Sequence, residues 1–392
     1  MEILFLTGRL PYPPNRGDRL RAYNFLRVLS QEHQITLLSF IGDDWETGNV
    51  GPLRPFCRDI QLVHRGQVQS AFTTGINSWR RTPFQSLYYK SAVMQGAVDR
   101  LLDRRHFDVV YVHLFRMAQF VADRTNPYRV LDLTDAISSE IERSLPYRDA
   151  KWRLIYRMEL PRIRRYEREI VSHFDEAWLI SNAEREQLLQ ETTNEKVLVV
   201  PNGIDTGRFR PSGISTNDPI LIFVGHMGVF HNIDAAEYLV RDILPLIHHN
   251  IPAARLNLVG AEPAIEVQKL SAQPAVRVLG QIADLNAELN NAAIFTAPLR
   301  FAAGVQNKVL EAMAVGLPVV TTSYVNKGLQ AENGRHLIIA DEPGLFAEAV
   351  VSLLRDATLR HKIGRAGREF VMRHYRWEDV LARMNEIEQR II

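Results

Sequence analysis

Two doubly wound α/β domains in tandem are the fold class that this sequence predicts, and three observations carry it. The chain has 392 residues, which suits two domains of roughly 180 residues better than one. Short apolar runs alternate with helically periodic segments along most of its length, the pattern of parallel sheets. The alternation breaks once, at Val200-Pro201-Asn202-Gly203-Ile204-Asp205, a stretch dense in turn formers, and then restarts.

Residues 3–6 form a short apolar run, read as a buried first strand, followed by a loop with Gly8, Pro11, Pro13, Pro14 and Gly17. Leu20, Tyr23, Leu26 and Leu29 recur at helical spacing, with Arg19, Arg21 and Arg27 on other faces. A second apolar run occupies 35–40. Strand, loop, helix and strand make a βαβ unit, hence a parallel sheet with a right-handed crossover. Residues 109–112, 130–133, 176–180 and 197–200 read as further strands. Phe209-Arg210-Pro211-Ser212-Gly213 prolongs the break. Beyond it come a strand at 220–224 ending in Gly225, a helix from about 232 to 249, and strands at 255–259, 276–279, 294–297 and 318–321. From 343 the chain reads as helix with a break at Tyr375-Arg376. The expected domains are 1–203, 204–373 and a final helix, 374–392, packing back on the first. Open parallel sheets bind ligands at the carboxyl ends of their strands, so two facing sheets would enclose a ligand in a cleft.

Bulk composition narrows the function. The chain is 46% hydrophobic and 23% charged, as in a globular protein with substantial cores. Lys plus Arg is 47 against 45 for Asp plus Glu, which argues against nucleic acid or another polyanion as partner. The lone cysteine, Cys57, excludes an internal disulfide framework and suits a reducing compartment. No spaced Cys/His set suggests structural zinc. The first residues do not form a signal peptide, and no apolar stretch approaches the roughly 20 residues needed to cross a bilayer. The expected location is the cytoplasm, with a peripheral position on the inner face of the plasma membrane open.

The most specific stretch is Gly304-Val305-Gln306-Asn307-Lys308-Val309-Leu310-Glu311-Ala312-Met313-Ala314-Val315-Gly316-Leu317-Pro318-Val319-Val320. It reads as a glycine loop, a helix start, then a strand entered through Gly316 and Pro318. Amide groups at a helix start suit a diphosphate, and Lys308 adds a full charge in the first turn. Glu311, three residues on and on the same face, would accept hydrogen bonds from both hydroxyls of a ribose. An ordinary loop–helix–strand with a solvated Lys–Glu pair is the plainer alternative.

These residues resemble the GT-B glycosyltransferases of family four, whose signature here is a Glu, seven residues, then a second Glu followed by Ala-Met-Ala-x-Gly-x-Pro-Val-Val. The second Glu is Glu311; the first, which in the family sits near the transferred sugar, would fall at Ala303 and is missing. Gly-Val-Gln-Asn-Lys is similar to the sugar transferases associated with exosortase and exopolysaccharide clusters. Pro14-Asn15-Arg16-Gly17-Asp18 resembles the family's N-terminal glycine loop, with Asp18 where many relatives carry Gly; a plain strand-to-helix turn would use the same residues. The resemblance implies that His113, at the end of the strand 109–112, faces the donor sugar; otherwise it is a loop histidine bonded to backbone. Asp132 and Asp135 would bind acceptor hydroxyls or cap a helix. After Gly225, His226 and His231 stand where many relatives place Arg and Lys on the diphosphate, leaving more of that charge to Lys308; His231 as a helix cap is the alternative. Gly280 lies in the loop that usually holds the base.

Residues 151–168 contain seven basic residues against Glu159 and Glu167, interleaved with Trp152, Leu154, Ile155, Tyr156, Met158 and Ile163. Such a mixture favours an anionic membrane surface, and a solvated helix face packed on its own core would look the same. Trp79-Arg80-Arg81 and Tyr88-Tyr89-Lys90 have a similar character. The resemblance implies a retaining transfer from a nucleoside diphosphate sugar to a glycan or lipid-linked acceptor, without metal or other cofactor. Lys308, Glu311 and His113 would serve the chemistry, and Gly225, His226, His231, Gly280, Gly304, Val305, Gln306 and Asn307 would hold the donor. Arg16, Gly17, Asp18, Asp132 and Asp135 would face the acceptor. A nucleotide-sugar epimerase on the same frame and a non-catalytic sugar-nucleotide or glycan-binding protein are the rival readings.

Overall fold

The computed structural model describes residues 1–14, 17–42, 44–65, 82–190, 194–213, 218–301 and 305–391. The chain divides into two compact units, Met1–Pro201 with Val380–Ile392, and Asn202–Asp379.

In the first unit β1 (Glu2–Thr7), β2 (Gln34–Ile41), β3 (Asp59–His64), β4 (Val109–His113), β5 (Tyr128–Thr134), β6 (Glu176–Leu179) and β7 (Val197–Val199) follow one another along the chain. Among the described residues they form a seven-stranded sheet in the order β3-β2-β1-β4-β5-β6-β7. Every pairing is parallel. The strands are buried on both faces because helices cover both, which explains why they read as apolar runs rather than alternations. Leu4, Leu6, Val110, Val112 and Leu131 pack one face with Phe174. Phe5 and Tyr111 stack at 4.4 Å on the other, with Phe25 and Trp178 against Tyr111. The C-terminal segment is anchored in this unit through Arg383, whose Nη2 donates to Glu176 Oε1 at 2.7 Å.

The second unit repeats the plan with β8 (Ile220–Val224), β9 (Arg255–Val259), β10 (Val276–Gly280), β11 (Ile294–Ala297), β12 (Val319–Thr321) and β13 (Ile338–Ile339). Its order is β10-β9-β8-β11-β12-β13, again parallel throughout. In each unit the order reverses beside the first strand, so the crevice at its carboxyl end, beyond β1 and β4 or β8 and β11, is where a doubly wound sheet takes a ligand.

Local differences from the sequence reading have physical causes. β3 and β13 were not expected: β3 is a half-exposed edge strand with weak apolar signal, and β13 has two residues. The helix expected at 232–249 starts at Phe230 and passes through a π turn, Leu239–Ile243. Pro245 has no N–H for the Arg241 carbonyl, and the wider turn absorbs the missing bond. The last helical region breaks at Asp356 as well as near Tyr375, because the Asp356 side chain caps the next helix through Leu359 N at 2.9 Å.

Candidate functional site

In the second unit the loops after β8, β9 and β10 are laced together by backbone. Gly225 N donates to Val259 O at 3.0 Å, and Gly260 N donates to Gly280 O at 2.8 Å. Gly260 has φ +150, and a Cβ there would run into the Gly225 carbonyl. Gly225 in turn lies against Asn232, whose Cγ would sit 2.8 Å from a Cβ at that position. Only glycine permits either approach. Gly280 has φ +64, and a Cβ there would meet no atom within 4 Å.

Asn232 is 3% exposed. Its Nδ2 donates to His226 O at 3.0 Å, and its Oδ1 accepts from Lys308 Nζ. Lys308 Nζ also lies 5.4 Å from the centroid of the Phe223 ring. The lysine therefore turns back over the end of β8 instead of standing in solvent, which sets aside the solvated Lys–Glu pair. Its helix, Asn307–Ala314, begins at N-cap Gln306. The Gln306 carbonyl accepts from the amides of Val309 and Leu310, which makes Asn307 and Lys308 the first-turn amides without an intrahelical acceptor. Burial lowers the Lys308 pKa to about 7 despite the help of Glu311. Burial likewise pushes Glu311 up to about 7, against the pull of Arg208 and Lys308. A cation and an acid that both titrate near neutrality, beside helix-start amides, form a site suited to an anion with hydroxyl groups attached.

The other donor-side expectations fare unevenly. His226 Nε2 lies 3.4 Å from Glu262 Oε2, so it faces a carboxylate. His231 is the second residue of the helix Phe230–Tyr238, whose N-cap is Val229, so it does not cap that helix. Val305 is 4% exposed, which limits its part to backbone. Asn307 Oδ1 accepts from Asn202 Nδ2 at 3.0 Å. Gly304 and Arg16 lie outside the described residues, as do Ala303, Trp79, Arg80 and Arg81.

In the first unit the centre is a buried ion pair. Arg21, expected on a face other than the apolar one, is 0% exposed, and its Nε donates to Asp132 Oδ2 at 2.6 Å. Its Nη1 and Nη2 donate to the carbonyls of Pro201 and Val200. Tyr111 Oη also donates to Asp132, and the Thr134 amide donates to Oδ1 at 3.0 Å. Burial alone would raise the Asp132 carboxyl; Arg21 and His113 together outweigh it and hold it well below the usual range. Asp132 thus neither caps a helix nor presents its carboxylate to an acceptor. Asp135 does not cap either, since the N-cap of Ile137–Ser144 is Ala136; burial beside Glu184 and Glu140 raises its pKa well above the carboxylate range.

His113 is 3% exposed. Nε2 donates to the Asp18 carbonyl at 3.0 Å, and Nδ1 lies 3.5 Å from Asp132 Oδ2. This geometry makes it a strut between β4, β5 and the start of the helix Gly17–Leu29. Asp18 Oδ2 lies 3.5 Å from Arg9 Nε, and a Cβ on Gly17 would meet open space. Arg21, Tyr111, Asn232 and Gly260 were missed by sequence reasoning. The signal that could have found Asn232 is a lone Asn in the first helix after Gly225.

Residues 218–356 match the family model for glycosyl transferases group 1. The chain is 21% identical over 393 residues to an uncharacterized 44.6 kDa protein in the cps region of Klebsiella pneumoniae, covering 95% of this chain and 96% of that one. It is 26% identical over 208 residues to the phosphatidyl-myo-inositol mannosyltransferase of Mycobacterium leprae, covering 51% of this chain and 55% of that protein. The crystal structure of Anabaena HepE in complex with UDP superposes with a TM-score of 0.71 at 15% identity, covering 100% of both chains.

These matches support a GT-B glycosyltransferase. The glycosyltransferase match spans the whole run from β8 to the helix Pro343–Arg355 and so includes Gly225, Asn232, Lys308 and Glu311. The GT-B fold accounts for both sheets. Among the described residues no group of three His, Cys, Asp or Glu side chains gathers as a metal site.

Proposed function

We propose that this protein moves a sugar from a nucleoside diphosphate sugar to a glycan or lipid-linked acceptor, with retention of configuration and without a metal. The observation that carries the reading is Lys308 in the first turn of Asn307–Ala314, turned toward Asn232, with Glu311 one turn on. The Asn307 and Lys308 amides and the Lys308 ammonium would stabilise the diphosphate as it leaves, by preorganised electrostatics. Glu311 would hold the ribose hydroxyls, Gly225 and the backbone at Gly280 would line the donor, and His113 would keep the acceptor side in shape as a positioning residue. The acceptor hydroxyl would attack from the leaving-group side and pass its proton to a donor phosphate oxygen. A role in exopolysaccharide or other surface glycan synthesis draws support from the relative in a cps region.

Residues 150–171 form one helix, Ala150–Val171. No described helix is long and apolar enough to cross a membrane, and we assign this one to peripheral contact with an anionic surface.

The test is thermal shift of the purified protein in EDTA with UDP, GDP, ADP and CMP, alongside Lys308→Ala and Glu311→Ala. A ligand specific to the folded state at a hundred times its dissociation constant adds about 2.7 kcal/mol. One nucleoside diphosphate should stabilise the wild type and neither variant. No response to any nucleotide, or a response only with a divalent metal, would overturn the reading.

A further inference from the structure

Three arginines converge on one ring at the carboxyl edge of the first unit's sheet. Arg9 follows β1, Arg65 follows β3, and Arg116 lies two residues beyond Leu114 after β4. Arg65 Cζ is 4.4 Å and Arg116 Cζ 5.2 Å from the centroid of the Tyr89 ring. Gly8 brings the chain over the same ring, with its Cβ position 3.0 Å from Tyr89 Cε1, and so delivers Arg9 there. Tyr89 itself is 4% exposed, which removes it from the membrane-facing role its sequence context suggested.

Among the described residues the cations outnumber the carboxylates here. Asp18 is the carboxylate that acts on Arg116, while Arg9 and Arg65 both repel it; Asp18 is also the partner of Arg9. Arg65 Nε, Arg65 Nη1 and Arg116 Nε are buried donors with no hydrogen-bond partner. Burial and the two like charges lower the Arg116 pKa. Buried guanidinium N–H groups normally find acceptors, and converging guanidiniums match the oxygens of a phosphate.

We propose that Arg9, Arg65 and Arg116 bind a phosphate or diphosphate group carried by the acceptor, an assignment that rests on the glycosyltransferase reading above. The glycosyl acceptor is then an anionic ester and not a neutral glycan. A soluble sugar phosphate and a lipid-linked sugar diphosphate share this chemistry.

The test uses the full chain carrying Lys308→Ala, which disables the donor diphosphate site, titrated calorimetrically with inorganic pyrophosphate. Pyrophosphate should bind, and Arg65→Gln or Arg116→Gln should each weaken it at least tenfold, whereas Arg277→Gln on the second unit should not. Arg116→Lys, which keeps the charge, guards against a fold defect, with melting temperature recorded for each variant. Absence of binding, or binding indifferent to the arginines, would overturn the proposal. Loss of UDP binding in an otherwise native Arg116→Gln would overturn it too, because the anion would then be the donor's diphosphate. Failure of UDP to bind the wild type, in contrast, would refute the donor-site reading and leave the pyrophosphate result to stand by itself. Transfer assays with a hexose 1-phosphate and with a prenyl diphosphate sugar in detergent then decide the source; transfer to neutral glycans alone would contradict the proposal.

Discussion

Arg21 Nε lies 2.6 Å from Asp132 Oδ2, and neither side chain retains accessible surface. The pair joins the helix Gly17–Leu29 to β5, and the two remaining arms of Arg21 close the carbonyls of Val200 and Pro201 at the end of the unit's main stretch. Removing one member leaves a buried charge without its partner, so Arg21→Met or Asp132→Leu should each cost about 3–5 kcal/mol. The double substitution should cost less than the sum, since no orphan charge remains, although two carbonyls lose donors. Urea unfolding of the three variants checks this; additive losses would contradict the coupling.

Lys308 and Glu311 make stability depend on pH in opposite directions. The folded pKa of Glu311, about 7, exceeds its ordinary 4.5. Between those values the folded state holds more protons, so the contribution of Glu311 falls as pH rises through about 7. The folded pKa of Lys308, about 7, lies below its ordinary 10.5, so its contribution is lost as pH falls from 10.5 through about 7. The two together should give the ligand-free protein a local stability minimum near neutrality. Glu311→Gln should remove the acid-side slope and Lys308→Met the alkaline-side slope in urea melts from pH 5 to 9. A bound diphosphate needs Lys308 charged, so UDP affinity should decline above about pH 7 in the wild type and be flat in Lys308→Met.

Gly260→Ala should destabilise by about 1–3 kcal/mol, the usual cost of forcing atoms into packed space. Its Cβ would press on the Gly225 carbonyl at a φ of +150, and the loops after β8 and β9 would have to part. UDP binding should weaken with it. Gly280→Ala meets no neighbouring atoms, so its cost should be limited to the strain of a positive φ. Chemical denaturation of the two variants side by side separates packing from backbone strain.

The helix Ala150–Val171 turns both of its first two acids inward. Glu159 is 5% and Glu167 0% exposed, while Trp152, Leu154 and Met158 remain 45%, 64% and 55% exposed. The outer face carries Arg157, Arg165 and Arg168, with Glu169 3.5 Å from Arg165 as its exposed acid. Sedimentation with phosphatidylglycerol vesicles should pull the protein down at low salt and release it at high salt, as screening of surface charge requires. Leu154→Asp with Arg157→Glu should abolish pelleting; protein that stays in the supernatant throughout would return this face to the role of a solvated surface.

The sequence by itself determined the βα alternation apart from β3 and β13, the parallel character of both sheets, and the helix that carries Lys308 and Glu311. Each of those is local: a period, a turn or a spacing within one element, where neighbours in sequence are neighbours in space. Only the tertiary structure decided that Arg21 is internal, that Asp132 and His113 brace each other, that Asn232 receives Lys308, and that Arg9, Arg65 and Arg116 share one ring. Arg21 and Asp132 are 111 residues apart, and Lys308 and Asn232 are 76 apart. Their meeting depends on the sheet orders that place β1 beside β4, and β8 beside β11. A helical pattern with several arginines cannot show which one faces inward. That choice depends on which carboxylate the adjacent strands bring to it, because a guanidinium stays buried only where an opposite charge and hydrogen-bond acceptors replace the water it loses.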